Sequence, residues 1–125
     1  MRVGESVWHA KRQSIPNATK ATYDEPIEYR TRLNYLTVMA ASGYIQVMKY
    51  GEDVDNTWIM VASMRAFGNE IKEGDLLWVD GDSPIAELEE KYGNGASANA
   101  VVKSVSKGNL MMEVTLVRNK KQLKR

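Results

Sequence analysis

Ala98-Asn99-Ala100-Val101-Val102-Lys103-Ser104-Val105-Ser106-Lys107 and, after Gly108-Asn109, Leu110-Met111-Met112-Glu113-Val114-Thr115-Leu116-Val117-Arg118 decide the fold. Both runs are rich in β-branched residues, and the joint Lys107-Gly108-Asn109 has turn chemistry, so the pair predicts a β-hairpin. Working outward, Pro84 to Tyr92 predicts a helix. Ser83 suits the N-cap, Pro84 the first helical position, and Glu87, Glu89 and Glu90 the positive end of the macrodipole. Leu76 to Val79 is a short strand closed by Asp80-Gly81-Asp82. Thr57 to Ala66 is a longer one, with Trp58, Met60, Ala62 and Met64 on one face. Leu33 to Ala40 and Tyr44 to Tyr50, joined at Ser42-Gly43, predict an earlier hairpin.

The first 26 residues hold no sustained period, and Pro16 and Pro26 interrupt them, so they predict an extended arm. The expected division is an N-terminal arm over 1–26, a β domain over 27–118 and a basic tail over 119–125. About six short strands and one helix favour a mainly β fold: a small, partly open antiparallel β-barrel with extended arms at both ends. Closure is how short strands avoid exposed edges.

A chain of 125 residues, 43% hydrophobic and 26% charged, has the composition of one globular domain. No apolar run approaches the roughly 18 residues of a membrane helix, and the start, Met1 to Glu5, does not predict a secretory signal. Without cysteine there is no disulfide, thiolate metal site or cysteine nucleophile, and the single histidine, His9, excludes a histidine-rich site. His9 falls in the predicted arm and reads as a surface residue. Asp75, Asp80 and Asp82, with Glu87 nearby, form the densest carboxylate cluster, but their spacing is not that of a calcium loop and turn chemistry explains them. No phosphate loop or nucleophile elbow is present. The expectation is a protein that is not an enzyme and takes no metal or cofactor.

Charge is unevenly spread. Between Gly51 and Glu90 eleven acids face two bases, whereas the last eight residues hold five bases and no acid. A chain with unlike charged regions can dock on its own copies or on different neighbours. Arg118, Lys120, Lys121, Lys124 and Arg125 in the tail, with Arg2, Trp8, Lys11 and Arg12 in the arm, are the candidate partner-docking residues.

The runs Tyr44 to Gly51, Trp58 to Val61 and Ile71 to Gly81, then Tyr92-Gly93 followed by Ala98 to Val102, resemble the head-closure, or stopper, proteins of tailed bacteriophages. The resemblance spans roughly Tyr23 to Arg118. It implies a virion protein of the phage neck, assembled in the host cytoplasm as a homo-oligomeric ring matching the portal and adaptor symmetry. Its partners would be the head-tail adaptor, the tail terminator or tube, and packaged double-stranded DNA passing without sequence recognition. No membrane is involved. By position, the loop Gly51 to Asn56 would face the channel, with Glu52, Asp53 and Asp55 as candidate channel residues whose negative charge lets DNA slide. The alternative is an OB-like single-stranded nucleic-acid-binding module, suggested by three strands, a helix and two strands in that order.

Overall fold

The computed structural model describes residues 6–13, 22–30, 36–40 and 56–124. Among these are nine strands: β1 (Ser6–Ala10), β2 (Arg12–Gln13), β3 (Thr22–Tyr23), β4 (Ile27–Arg30), β5 (Leu36–Ala40), β6 (Thr57–Ser63), β7 (Leu76–Trp78), β8 (Ala100–Lys107) and β9 (Met111–Arg118). Two helices join them, α1 (Met64–Phe67) and α2 (Ala86–Tyr92). Seven strands form one sheet in the order β4-β1-β7-β8-β9-β6-β5, and β2 pairs with β3 apart from it. Every pairing among the described strands is antiparallel. The fold is mainly β, and the sheet is partly open rather than closed into a barrel.

Strand alternation builds the core. Leu36 and Val38 on β5, Trp58, Met60 and Ala62 on β6, Met112, Val114 and Leu116 on β9, Ala100 and Val102 on β8, Leu77 on β7 and Val7 on β1 all face one side. Phe67 and Ile71, from α1 and the segment after it, join them in one apolar cluster. Val105 also packs on this cluster although it lies three residues from Val102, an impossible phase for a regular strand. A bulge resolves the conflict. Val102 pairs with Leu116 and Ser104 with Thr115, so Lys103 is the extra residue that re-phases the end of β8. On the opposite face Ala10, Leu76, Trp78 and Ala98 form a smaller cluster, with Trp8, Tyr23 and Val101 packed against it.

Four expectations need correction. The segment 6–13 is not an arm outside the domain: β1 lies inside the sheet between β4 and β7, and Val7, His9 and Ala10 are buried. Strand β6 ends at Ser63, where Met64 starts α1, so the described residues include a short helix besides the predicted one. Helix α2 begins at Ala86 with Ile85 in the cap position, and Ser83 caps nothing. The Ile85 amide instead donates to Ser97 Oγ at 3.2 Å, which fixes where the helix starts. The predicted tail is also tied down. Leu123 N–H donates to the Ala96 carbonyl at 2.8 Å, and the Gln122 side-chain amide donates to the Ser97 carbonyl and to Asp82. The predicted strand Tyr44 to Tyr50 lies outside the described residues.

Candidate functional site

A row of side chains on the face opposite the main core crosses four neighbouring strands. Thr57 on β6 pairs with Val117 on β9, Val117 with Val101 on β8, and Val101 with Leu76 on β7. This row lies along a groove of about 1150 Å3. Among the described residues, Lys103, Arg118, Lys120 and Lys121 line it and no aspartate or glutamate does. Tyr23, carried by the β2–β3 pair, and Tyr92, at the end of α2, also line it, with Asn56, Asn94 and Asn119.

Each charged wall residue is placed by a local cause. Lys103 is the bulge residue of β8, and its side chain is exposed. The Arg118 guanidinium lies 5.3 Å from the Trp58 ring centroid and donates to Asn56 Oδ1 at 3.3 Å. Asn119 turns the chain after β9. Its amide N–H donates to the Asn99 carbonyl, its side chain donates to the Ala98 carbonyl, and its Oδ1 accepts from the Lys121 N–H. Lys120 and Lys121 are thereby held on a braced turn, and neither makes an ion pair among the described residues.

The tyrosine side of the groove is organised by a buried carboxylate. Glu89 on α2 accepts the amides of Gly95, Ala96 and Ser97 and the Ser97 hydroxyl, the last at 2.5 Å. Ser97 Oγ donates to Glu89 and accepts from Trp78 Nε1 at 3.0 Å and from the Ile85 amide, so its hydrogen-bonding capacity is filled. Gly95 sits at φ +92°, and a Cβ there would run into Leu76 Cδ1, so only glycine permits this turn beside the groove. The Asn94 side chain reaches the Tyr23 carbonyl at 3.5 Å, which joins the turn to β3.

A second buried polar group lies on the core side. His9 is 2% exposed; its Nε2 is 2.8 Å from Asp75 Oδ2 and its Nδ1 is 3.3 Å from the Tyr29 hydroxyl. Asp75 also accepts the Arg12 and Lys72 amides. Burial is the largest influence on the Asp75 carboxyl and pushes it up, but the bonds from His9, Arg12 and Lys72 together outweigh it and hold the group below its ordinary value. Burial raises the Tyr29 hydroxyl, and Glu70 adds to the effect. The ion pair between Lys11 and Glu70 raises the former and lowers the latter. This network fastens β1 and β2 to the segment before β7. His9 is thus an interior residue, contrary to the surface placement expected from the sequence.

Of the candidate docking residues, the structure brings Arg118, Lys120 and Lys121 together in the groove. Lys124 lines a smaller adjoining cavity with Arg118, Asp80 and Asp82. Trp8 packs half-buried beside Trp78, Lys11 is paired with Glu70, and Arg12 lies beside Gly74, so the three do not join the groove. Arg2, Arg125 and the channel candidates Glu52, Asp53 and Asp55 lie outside the described residues. Of the acids read as turn residues, Asp80 stands at φ +57° and accepts from Trp58 Nε1 at 2.7 Å. Among the described residues no cluster of three or more histidine, aspartate or glutamate side chains could hold a metal ion. Sequence reasoning missed Lys103, Tyr23 and Tyr92, because only the β8–β9 pairing and the Glu89 clamp bring these distant residues together.

No family model, curated protein or solved structure matches the chain.

Proposed function

We propose that this chain is a structural protein of the tailed-phage virion, a neck component whose copies form a ring between the portal and adaptor assembly and the tail and help to retain and gate packaged DNA. The observation that carries this is the spatial segregation of charge. Among the described residues the groove is lined by four bases and no acid, while the exposed acids Glu73, Glu87 and Glu90 lie outside its lining. Rings of identical subunits need two unlike, complementary surfaces, and a basic groove on a chain rich in acids elsewhere meets that need. The proposed role is assembly, and His9 contributes to it by bracing Asp75 and Tyr29 beneath the surface.

The free protein is then a monomer that becomes a ring on its adaptor. Native mass spectrometry of the purified chain, followed by electron microscopy after mixing with portal–adaptor complexes from tailed phages, tests this. A ring of this chain on the adaptor is expected. A chain that never associates with any such complex would overturn the proposal.

A second reading, single-stranded nucleic-acid binding, is favoured by one specific observation: tyrosines and bases line the same groove.

A further inference from the structure

We infer that the groove binds single-stranded nucleic acid, with Lys103, Arg118, Lys120 and Lys121 on its phosphates and Tyr23 and Tyr92 stacked on its bases. The inference rests on the second reading and adds to it the site and the role of each residue.

Size comes first. At about 1150 Å3 the groove exceeds the roughly 300–1,000 Å3 of small-molecule pockets. It is suited to a segment of polymer. Its charge then selects an anion, because among the described residues four cationic side chains share the lining with no carboxylate.

The tyrosines separate the remaining polyanions. An acidic protein segment needs only the bases, and duplex DNA presents phosphates while its stacked base faces stay hidden. A single strand presents both, and binding proteins for it combine a cationic track with aromatic platforms. Tyr92 is 54% exposed, and Lys91 Nζ lies 5.1 Å from its ring centroid. Tyr23 is held against the cluster around Trp78 and Leu76. The side-chain amides of Asn56, Asn94 and Asn119 lie on the same lining. Amides and tyrosine faces accept any base, so the expected binding has little sequence preference.

The Glu89 clamp and the Asn119 turn give the site its shape before any ligand arrives. Three backbone amides fixed by one carboxylate keep the Gly95 turn in place beside Tyr23. Such a preformed site loses little ordering entropy on binding.

The test is fluorescence anisotropy of a labelled oligothymidylate of about twelve nucleotides, titrated with the full chain. Four phosphate contacts give a single-strand salt slope of about −2.8, so affinity should fall about fiftyfold between about 50 and 200 mM salt. Replacing Lys103, Lys120 and Lys121 with alanine together should flatten that slope by about 2. Tyr92→Ala should weaken binding about tenfold. Arg65→Ala, a change at an exposed base on α1 outside the groove, should leave binding unchanged. Circular dichroism of each variant establishes that it is folded. Failure of the wild-type chain to bind would overturn both the reading and the site. Wild-type binding with an unaltered slope in the triple variant would overturn the site and leave the reading standing. Duplex of the same length binding as tightly, with no effect of Tyr92→Ala, would overturn the stacking assignment. Full competition by a polyglutamate of equal charge would overturn the choice of a nucleic acid.

Discussion

The two faces of the seven-stranded sheet use the same backbone for different ends. On the inner face, cross-strand neighbours such as Val38, Met60 and Val114 are buried apolar side chains in one cluster. On the outer face, the row Thr57, Val117, Val101 and Leu76 gives way to Lys103 and the turn carrying Lys120 and Lys121, while Arg118, in phase with Leu116, lies over Trp58 at the end of β9 and closes the groove's edge. The inner face is held by one large apolar cluster; the outer one has the smaller cluster around Trp78 and Leu76, and hydrogen bonds to Glu89 and from Asn119 set the loop and turn beside the groove. The difference implies that stability and binding are separable in this molecule, one residue apart along each strand.

The largest effect should come from the inner face. Leu116→Ala removes a fully buried side chain from the centre of the cluster and should lower stability by about 3 kcal/mol in urea unfolding. A loss below about 1 kcal/mol would mean that this face is not closely packed. Glu89→Ala should rank next, at about 2 kcal/mol, because it strands the amides of Gly95, Ala96 and Ser97. Unlike Leu116→Ala, it should also weaken binding in the groove.

A smaller, pH-dependent contribution belongs to Asp75. Its carboxyl is held below the ordinary value in the fold, so it stabilises the protein above the unfolded carboxylate value, about 3.9. That contribution is lost as pH falls through the lower folded value. Asp75→Asn should therefore lower stability near neutral pH and reduce the further loss on acidification, as followed by thermal melts across pH 2 to 6. Deleting the chain from Gln122 onward should cost about 1 kcal/mol through the lost bonds to Ala96 and Ser97. Lys121→Ala, on the outer rim, should change stability by no more than about 0.5 kcal/mol while reducing the salt slope of binding.

The inner face was legible in the sequence where large apolar side chains recur with period 2. Trp58, Met60 and Ala62 alternate with period 2, and the hairpin around Gly108 follows from its turn chemistry. Strand β1 was not legible, because it is covered on both faces: Val7 joins the main cluster and Ala10 the smaller one. Burial on both sides erases alternation, and Ser6 to Ala10 therefore read as an arm. The bulge at Lys103 hid the inward orientation of Val105 for a related reason, since it changes phase within a strand. In the tail, the charges of Lys120 and Lys121 pointed to solvent. The anchoring groups are Asn119, Gln122 and Leu123, whose partners lie some twenty or more residues earlier in the chain. Three of the groove's four bases, Arg118, Lys120 and Lys121, were visible as a run, whereas Tyr23, Tyr92 and Lys103 become neighbours only through long-range pairing.

The most direct test of the division between the faces is an amide chemical-shift map of the 15N-labelled full chain titrated with oligothymidylate. The account predicts shifts concentrated at Tyr23, Tyr92 to Ala96, Val101, Lys103 and Val117 to Lys121, with Met60, Val114 and Leu116 unmoved. Shifts centred instead on Lys11 and Arg12, or none at saturating oligonucleotide, would contradict it.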